Sequence, residues 1–289
     1  MNKYIYPCLG AGDLGFIKMS GPGLANMMLV AARAYCLHRK YQIPMLSPTW
    51  RKLSIGPYLR HERDKRNYFR LFENYGTTGL RKFWLLNHVT HEENRLEEFL
   101  AASSSAVLRV AGLGRYFCDL DQTLTHQYFW TIANRWIRDR VMQSDYCDTV
   151  AMHVRLGDYD AKQRTALEWY ARVGGAIYDV NKDAEILVFS DGTDQELSSL
   201  LKLPNVRRAV RGNALEDMLA ISRCRLVVAS DSTFSAMGAF IGSRPVLFPR
   251  CHFYPMYSDP DNECIATDSE TIREFIKDKM SPLRKAKPL

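Results

Sequence analysis

No apolar run in this 289-residue chain approaches the ~20 residues that cross a bilayer; the longest uncharged ones, such as Met27–Ala32 and Leu226–Ala229, are far shorter. The N-terminus, Met1-Asn2-Lys3-Tyr4-Ile5-Tyr6, lacks the apolar core of a secretory signal, so a cytoplasmic location is expected. Internal repeats and low-complexity tracts are absent, and the ordinary composition speaks against a disordered, collagenous or coiled-coil protein. Seven cysteines stand at 8, 36, 118, 147, 224, 251 and 264, and none forms a C-x-x-C pair. The odd count and wide spacing speak against a disulfide scaffold or a structural zinc site, and for reduced thiols. The dinucleotide fingerprint G-x-G-x-x-G is also missing, because Gly21-Pro22-Gly23-Leu24-Ala25-Asn26 has no third glycine.

Hydrophobic residues make up 46% and charged residues 25%, the balance of a soluble globular protein long enough for one large domain or two ordinary ones. Lysine and arginine exceed aspartate and glutamate by 39 to 32, a net charge of +7. That excess suits an anionic ligand, whether nucleic acid, membrane phosphate or nucleotide, without choosing among them.

From about 149 onward short apolar runs alternate with helical patterns. Strands are expected over 149–156, 185–190, 205–210, 225–230 and 244–248, and helices over 166–180, 194–202, 214–223 and 233–241. Thr165/Glu168, Thr193/Glu196 and Asn213/Glu216 each have capping-box spacing. Such alternation predicts βαβ units on a parallel sheet. The first half predicts a strand at Phe16–Met19, a helix over 25–40 with a stripe at Met28, Ala31, Ala32 and Tyr35, and a strand at Ile43–Leu46. A basic, aromatic stretch follows over 51–72, then polar helices to about 143. The expected organisation is therefore 1–145 as one Rossmann-like domain, 146–267 as a second, and 268–289 as a helix capped by Asp268 with the basic tail Arg284-Lys285-Ala286-Lys287. That tail offers peripheral contact with the inner face of an anionic membrane.

Three segments place polar chemistry at expected strand ends, where open parallel sheets bind ligands. In Ala151-Met152-His153-Val154-Arg155-Leu156-Gly157-Asp158-Tyr159 an apolar strand ends in His153, Arg155 and Asp158, with His153 and Arg155 of equal parity. An arginine fork there suits a diphosphate, although an Arg–Asp pair closing a strand end has the same pattern. Val228-Ala229-Ser230-Asp231-Ser232-Thr233-Phe234-Ser235 runs into a helix start whose amides and dipole favour an anion, or into a plain N-cap. Phe189-Ser190-Asp191-Gly192 is a turn at a third strand end. The His88–Glu93 stretch reads as a solvated polar face rather than a metal cluster. D-x-D occurs at Asp119/Asp121, Asp158/Asp160 and Asp259/Asp261, triplets short enough to arise by chance. The Arg51–Arg70 stretch is interrupted by Glu62 and Asp64 and carries no nucleic-acid-binding motif.

The ordered set Gly23-Leu24-Ala25-Asn26, His153 to Tyr159, Phe189-Ser190-Asp191 and Ser230 to Ser235 resembles the motifs of α-1,2-fucosyltransferases, glycosyltransferase family eleven. The wider fucosyltransferase superfamily shares the H-x-R motif, and Gly212–Cys224 is also similar to the stretch before the family's last motif. The resemblance covers about 15–45 and 145–255. It implies an α/β, GT-B-like fold of two Rossmann-like domains facing a cleft, a GDP-fucose donor, inversion at the anomeric carbon, and neither metal nor cofactor. By the same resemblance Arg155 holds the donor diphosphate, His153 and Asp191 face guanine, Asp231, Ser232 and Thr233 bind the phosphate side, and Asn26 reaches the donor from the other domain. Asp158 is the candidate carboxylate for taking the acceptor's proton. The family's second arginine is replaced here by Leu156, its glutamine after the asparagine by Met27, and its tryptophans after the last motif by Ala236 and Met237. The expected activity is transfer of L-fucose to a sugar hydroxyl of an oligosaccharide or lipid-linked glycan, α-1,2 to galactose, in cell-surface polysaccharide synthesis. Other readings are a GT-B enzyme with a different nucleotide sugar, a non-catalytic nucleotide- or glycan-binding protein, and, on charge alone, an RNA-binding protein.

Overall fold

A computed structural model describes residues 3–53, 68, 70–112, 117–157, 164–210, 212–251 and 255–281. Asp158, Tyr159, Asp160, most of the Arg51–Arg70 stretch and the basic tail lie outside the described residues. The chain forms two compact units, 1–141 and 142–289. Among the described residues no helix is long and apolar enough to cross a membrane.

The first unit is built on a parallel three-stranded sheet in the order β1 (Lys3–Pro7), β3 (Ala106–Val110), β2 (Val89–Glu92). Helix α1 (Leu24–Tyr41) covers β1 with the expected stripe of Met28, Ala31, Ala32 and Tyr35. Tyr35 stacks at 4.5 Å on Tyr128 of helix α4 (Gln122–Ile132). Two shorter helices, α2 (Gly79–Leu85) and α3 (Leu96–Ala101), flank β2, and α5 (Arg135–Met142) ends the unit.

The sequence reading of this half needs correction. Phe16–Met19 is not a strand: Phe16 and Met19 are exposed, and only Lys18 pairs, in an isolated bridge to Lys52. Ile43–Leu46 contributes only single bridges, Met45 to Ile5 and Leu46 to Thr77. Pro44 can accept from Ile5 N (3.0 Å) but has no N–H to extend the ladder. The three real strands passed unread, and the His88–Glu93 stretch supplies one of them. It is solvated along much of its length, as an edge strand is, and Glu93 then ion-pairs with buried Arg33 at 3.0 Å.

The second unit is a six-stranded, wholly parallel sheet in the order β6-β5-β4-β7-β8-β9. The strands are β4 (Thr149–Val154), β5 (Glu185–Ser190), β6 (Val206–Arg208), β7 (Leu226–Val228), β8 (Val246–Phe248) and β9 (Glu263–Ile265). The chain starts at the centre, builds outward to β6, then returns to the other side of β4. The topological switch point therefore lies where β5 and β7 flank β4. Val150, Met152 and Val154 face helices α6 (Leu167–Val180) and α10 (Ser269–Met280), whose Ile272, Ile276 and Met280 close that core. The remaining helices are α7 (Ser198–Leu201), α8 (Ala214–Ile221) and α9 (Thr233–Gly242).

Thr193 and Glu196 form the expected capping box, each amide bound to the other's side chain. Asn213 caps α8, while the Glu216 carboxylate accepts from Gly212 N rather than from the cap amide. The Thr165 box does not form, because α6 starts one residue late, on Ala166. Asp268 caps α10 as read, accepting from Thr271 N at 2.8 Å.

Two glycines four residues apart seat α9 against α8. A Cβ at Gly238 would lie 2.7 Å from Ile221 Cγ2, and one at Gly242 would run into the Ser222 carbonyl. That carbonyl also accepts from Arg244 Nε at 2.9 Å, so the backbone cannot yield freely. Gly242→Ala is therefore expected to cost roughly 2–3 kcal/mol, as overpacking does, and to lower the melting temperature by about 5–10 °C. Gly175→Ala on α6, where nothing lies within 4 Å, should be neutral or stabilising. Equal melting of the two variants would refute the close seat of α9.

Candidate functional site

Strand β4 delivers its last polar residues to the switch point. His153 lies on the face opposite Val154, and Arg155 follows with the same parity. The guanidinium of Arg155 pairs with Asp191 Oδ2 at 2.9 Å, and Asp191 Oδ1 accepts from Leu156 N at 2.8 Å. One carboxylate thus orients the arginine and ties the end of β4 to the end of β5. Gly157 makes room for this: a Cβ there would sit 2.5 Å from Asp191 Oδ2. Leu156, in place of a second arginine, is buried in the apolar core.

The other flank is the start of α9. The His153 ring stacks on Phe234 at 5.1 Å, and its Nδ1 shares a 2.8 Å hydrogen bond with Ser230 Oγ. Ser232 caps the helix, its hydroxyl accepting from Phe234 N at 3.3 Å. Ser235 Oγ donates to the carbonyls of Ser230 and Ser232. Ser232, read from the sequence as a phosphate ligand, is therefore engaged with Ser230 and Ser235 in shaping the turn. What remains toward a ligand is the positive helix end and half-exposed Thr233, whose hydroxyl makes no hydrogen bond among the described residues. Burial, reinforced by the Arg155 charge, lowers the His153 pKa to about 4, so at neutral pH the ring is uncharged.

The structure brings His153, Arg155, Asp191, Asp231, Ser232 and Thr233 to neighbouring strand ends of one sheet. Asn26 is half-buried in the first turn of α1, in the first unit. Asp158 falls outside the described residues, and the carboxylate that orients Arg155 is Asp191. Two of the D-x-D triplets do cap work: Asp121 accepts from Leu124 N, and Asp259 from Asp261 N. Two arginines went unread. Arg208, at the end of β6, donates to the carbonyls of Ser190 (3.1 Å) and Gly192 (2.6 Å) and pairs with Asp194, bracing the turn that carries Asp191. Arg250, past β8, meets Asp231 at 3.2 Å. Arg250 stands just beyond the expected strand 244–248 and could have been read, whereas Arg208 fell inside the expected strand 205–210, which in the structure ends at Arg208.

No protein-family model matches the chain, and no curated protein matches it. Solved structures do. The fucosyltransferase NodZ from Bradyrhizobium aligns with 14% identity and a TM-score of 0.51, over 85% of this chain and 95% of that one. NodZ α-1,6-fucosyltransferase soaked with GDP-fucose gives the same identity and TM-score, over 85% and 94%. The same enzyme co-crystallised with GDP aligns at 12% identity, also with a TM-score of 0.51. At this identity the likeness is one of fold, and the α/β architecture is GT-B-like.

His153 makes a titration test. Unfolded, a histidine takes a proton near pH 6.5; folded, His153 resists it until about pH 4. Between those values the unfolded chain binds more protons, so acidification weakens the fold, by up to ~3 kcal/mol at pH 4. His153→Asn is expected to melt with a shallower pH dependence between 6.5 and 4 than the parent. Parallel slopes would show that the ring is not buried neutral.

Proposed function

We propose that the chain is a fucosyltransferase that moves L-fucose from GDP-fucose to a sugar hydroxyl of a glycan. The observation that carries this reading is the pairing of an oriented arginine with an open helix start at the switch point of the parallel sheet. The fold shared with NodZ, an enzyme of that class soaked with GDP-fucose, supports it. As the glycosidic bond breaks, negative charge grows on the departing diphosphate. Arg155, held by Asp191, and the amides at the start of α9 stabilise that charge without a metal ion. Neutral His153 keeps α9 in place through Ser230 and Phe234 and adds no competing positive charge. Thr233 supplies a phosphate-facing hydroxyl, Asp231 positions Arg250 beside it, and Asn26 contributes from the first unit. Asp158 removes the acceptor's proton, and the sugar inverts. An α-1,2 linkage to galactose follows the motif resemblance.

One feature favours a second reading. Leu156 removes a cation that the resembled family keeps, and a different nucleotide sugar is the variant it allows.

Two measurements test the proposal. GDP is expected to raise the melting temperature in EDTA, by an amount equivalent to roughly 2.7 kcal/mol at a hundred times its Kd. Loss of activity in EDTA with rescue by Mn²⁺ would refute the metal-free route. Arg155→Ala should fold normally yet lose ~10²–10³ in kcat, with a smaller change in GDP affinity, and Arg155→Lys should recover little. Turnover within a few-fold of the parent would remove Arg155 from the leaving-group role.

A further inference from the structure

The first unit buries two lysines that the proposed chemistry does not use. Lys18 is 0% exposed and Lys82 3% exposed. Both ammonium groups are anchored on one residue: Lys18 Nζ donates to Thr49 O at 2.7 Å, and Lys82 Nζ donates to Thr49 Oγ1 at 2.9 Å. Neither has a carboxylate within ion-pair distance among the described residues, and each uses one of its three N–H donors on an oxygen acceptor. A buried charge is costly unless it is paired.

The surroundings deepen the imbalance. Tyr6, next to last in β1, donates its hydroxyl to Asp13 Oδ2 at 2.5 Å. Its one proton is thereby spent, so Thr49 donates to Tyr6 across 2.8 Å while accepting from Lys82. The second Asp13 oxygen accepts from Gly15 N. The nearest carboxylate is therefore already engaged by neutral donors. Lys52 adds a third ammonium, reaching Gly21 O at 3.5 Å, and Arg109 of β3 reaches Cys8 Sγ at 3.6 Å. Among the described residues, the carboxylates acting on Lys18, Lys82 and Arg109 are Asp13 and, beside Arg109, Glu92. Burial pulls both Lys18 and Lys82 down to about pKa 8, a value at which they still carry charge at neutral pH. All of this lies at the carboxyl end of β1 and β3, the edge at which parallel sheets bind ligands. Cys8, Asp13, Gly21 and Lys52 around them are half-buried.

We propose that Lys18 and Lys82, with Lys52 at the mouth, form an anion subsite that takes a phosphate or carboxylate group. Resting on the transferase reading, this makes the acceptor an anionic glycan, one carrying a phosphate or an acidic sugar, because the diphosphate of the donor belongs to the second unit. Each ammonium keeps two N–H groups not used on an oxygen acceptor, Lys82 lying 4.9 Å over the Tyr6 ring, and the anion neutralises the pair it enters.

The test is melting of the full chain in sodium phosphate and in sodium glucuronate, each against sodium chloride of equal ionic strength. At ten times its Kd the matching anion should raise the melting temperature by roughly 4 °C over chloride. Phosphate alone raising it assigns a phosphorylated acceptor, and glucuronate alone an acidic sugar. Lys82→Met should melt at or above the parent in chloride, since an unpaired buried charge is gone, and should lose the anion response. Lys52→Gln, at the half-buried mouth, keeps the fold and should weaken anion binding several-fold. GDP should stabilise all three proteins equally. No anion response in the parent, or an undiminished one in both variants, overturns the subsite. A missing GDP response beside an intact anion response would overturn the donor reading and leave the subsite standing.

Discussion

The carboxylate of Asp191 is the joint on which the second unit's polar edge depends. It binds a guanidinium and a backbone amide at once, and both belong to the end of β4. This fixes Arg155 in direction and height relative to β5. The cost is steric: Gly157 must lack a side chain, and a Cβ at Gly192 would meet Leu156 Cδ1 at 2.6 Å. Arg208 then holds the carbonyls on either side of Asp191, so the turn cannot swing away. On the far side the Ser230–His153–Phe234 contacts do the equivalent work for the helix. A central strand is thus fastened at its tip to both neighbours by side chains rather than by ladder bonds.

The legibility of this arrangement in the sequence was uneven, for physical reasons. Most strands and helices after residue 149 read well because the parallel sheet is largely buried on both faces, but β9 passed unread and the expected helix 194–202 is only Ser198–Leu201. Strand 185–190 comes out with the bounds expected, and the helix expected after the Asp268 cap forms over 269–280. The first unit read poorly. Lys3–Pro7 is a fully fledged strand, yet its lysine start and terminal proline mask it, while the apolar Phe16–Met19 segment lies in a loop that puts its lysine inside and its phenylalanine outside. Pattern reading assumes that apolar side chains point inward, and that loop inverts the rule. Within the site, the residues near strand ends were legible by position, but their division of labour was not. Ser232 looks like a ligand donor until the turn it caps is seen.

The two units handle buried polarity differently. In the second, buried groups are neutral or satisfied by amides: His153 sheds its charge, and the Glu263 carboxylate accepts from Met256 N and Tyr257 N. In the first, two ammonium groups remain in the interior on one threonine. Such retained charge opposes folding, and a unit that carries it is stabilised when something of opposite sign arrives.

The outward-then-back strand order has a consequence for synthesis. β4 emerges first and is the central strand, yet its neighbour β7 is made only after β5 and β6, from Leu226 onward. At ordinary translation rates the interval is several seconds. During it one edge of β4, a strand whose residues are all buried in the finished sheet, is exposed on the nascent chain. The helix that seals the core beside it, 269–280, comes last of all. A chain stalled between these points presents a half-sheet with an unpaired hydrophobic strand, which is a substrate for chaperones.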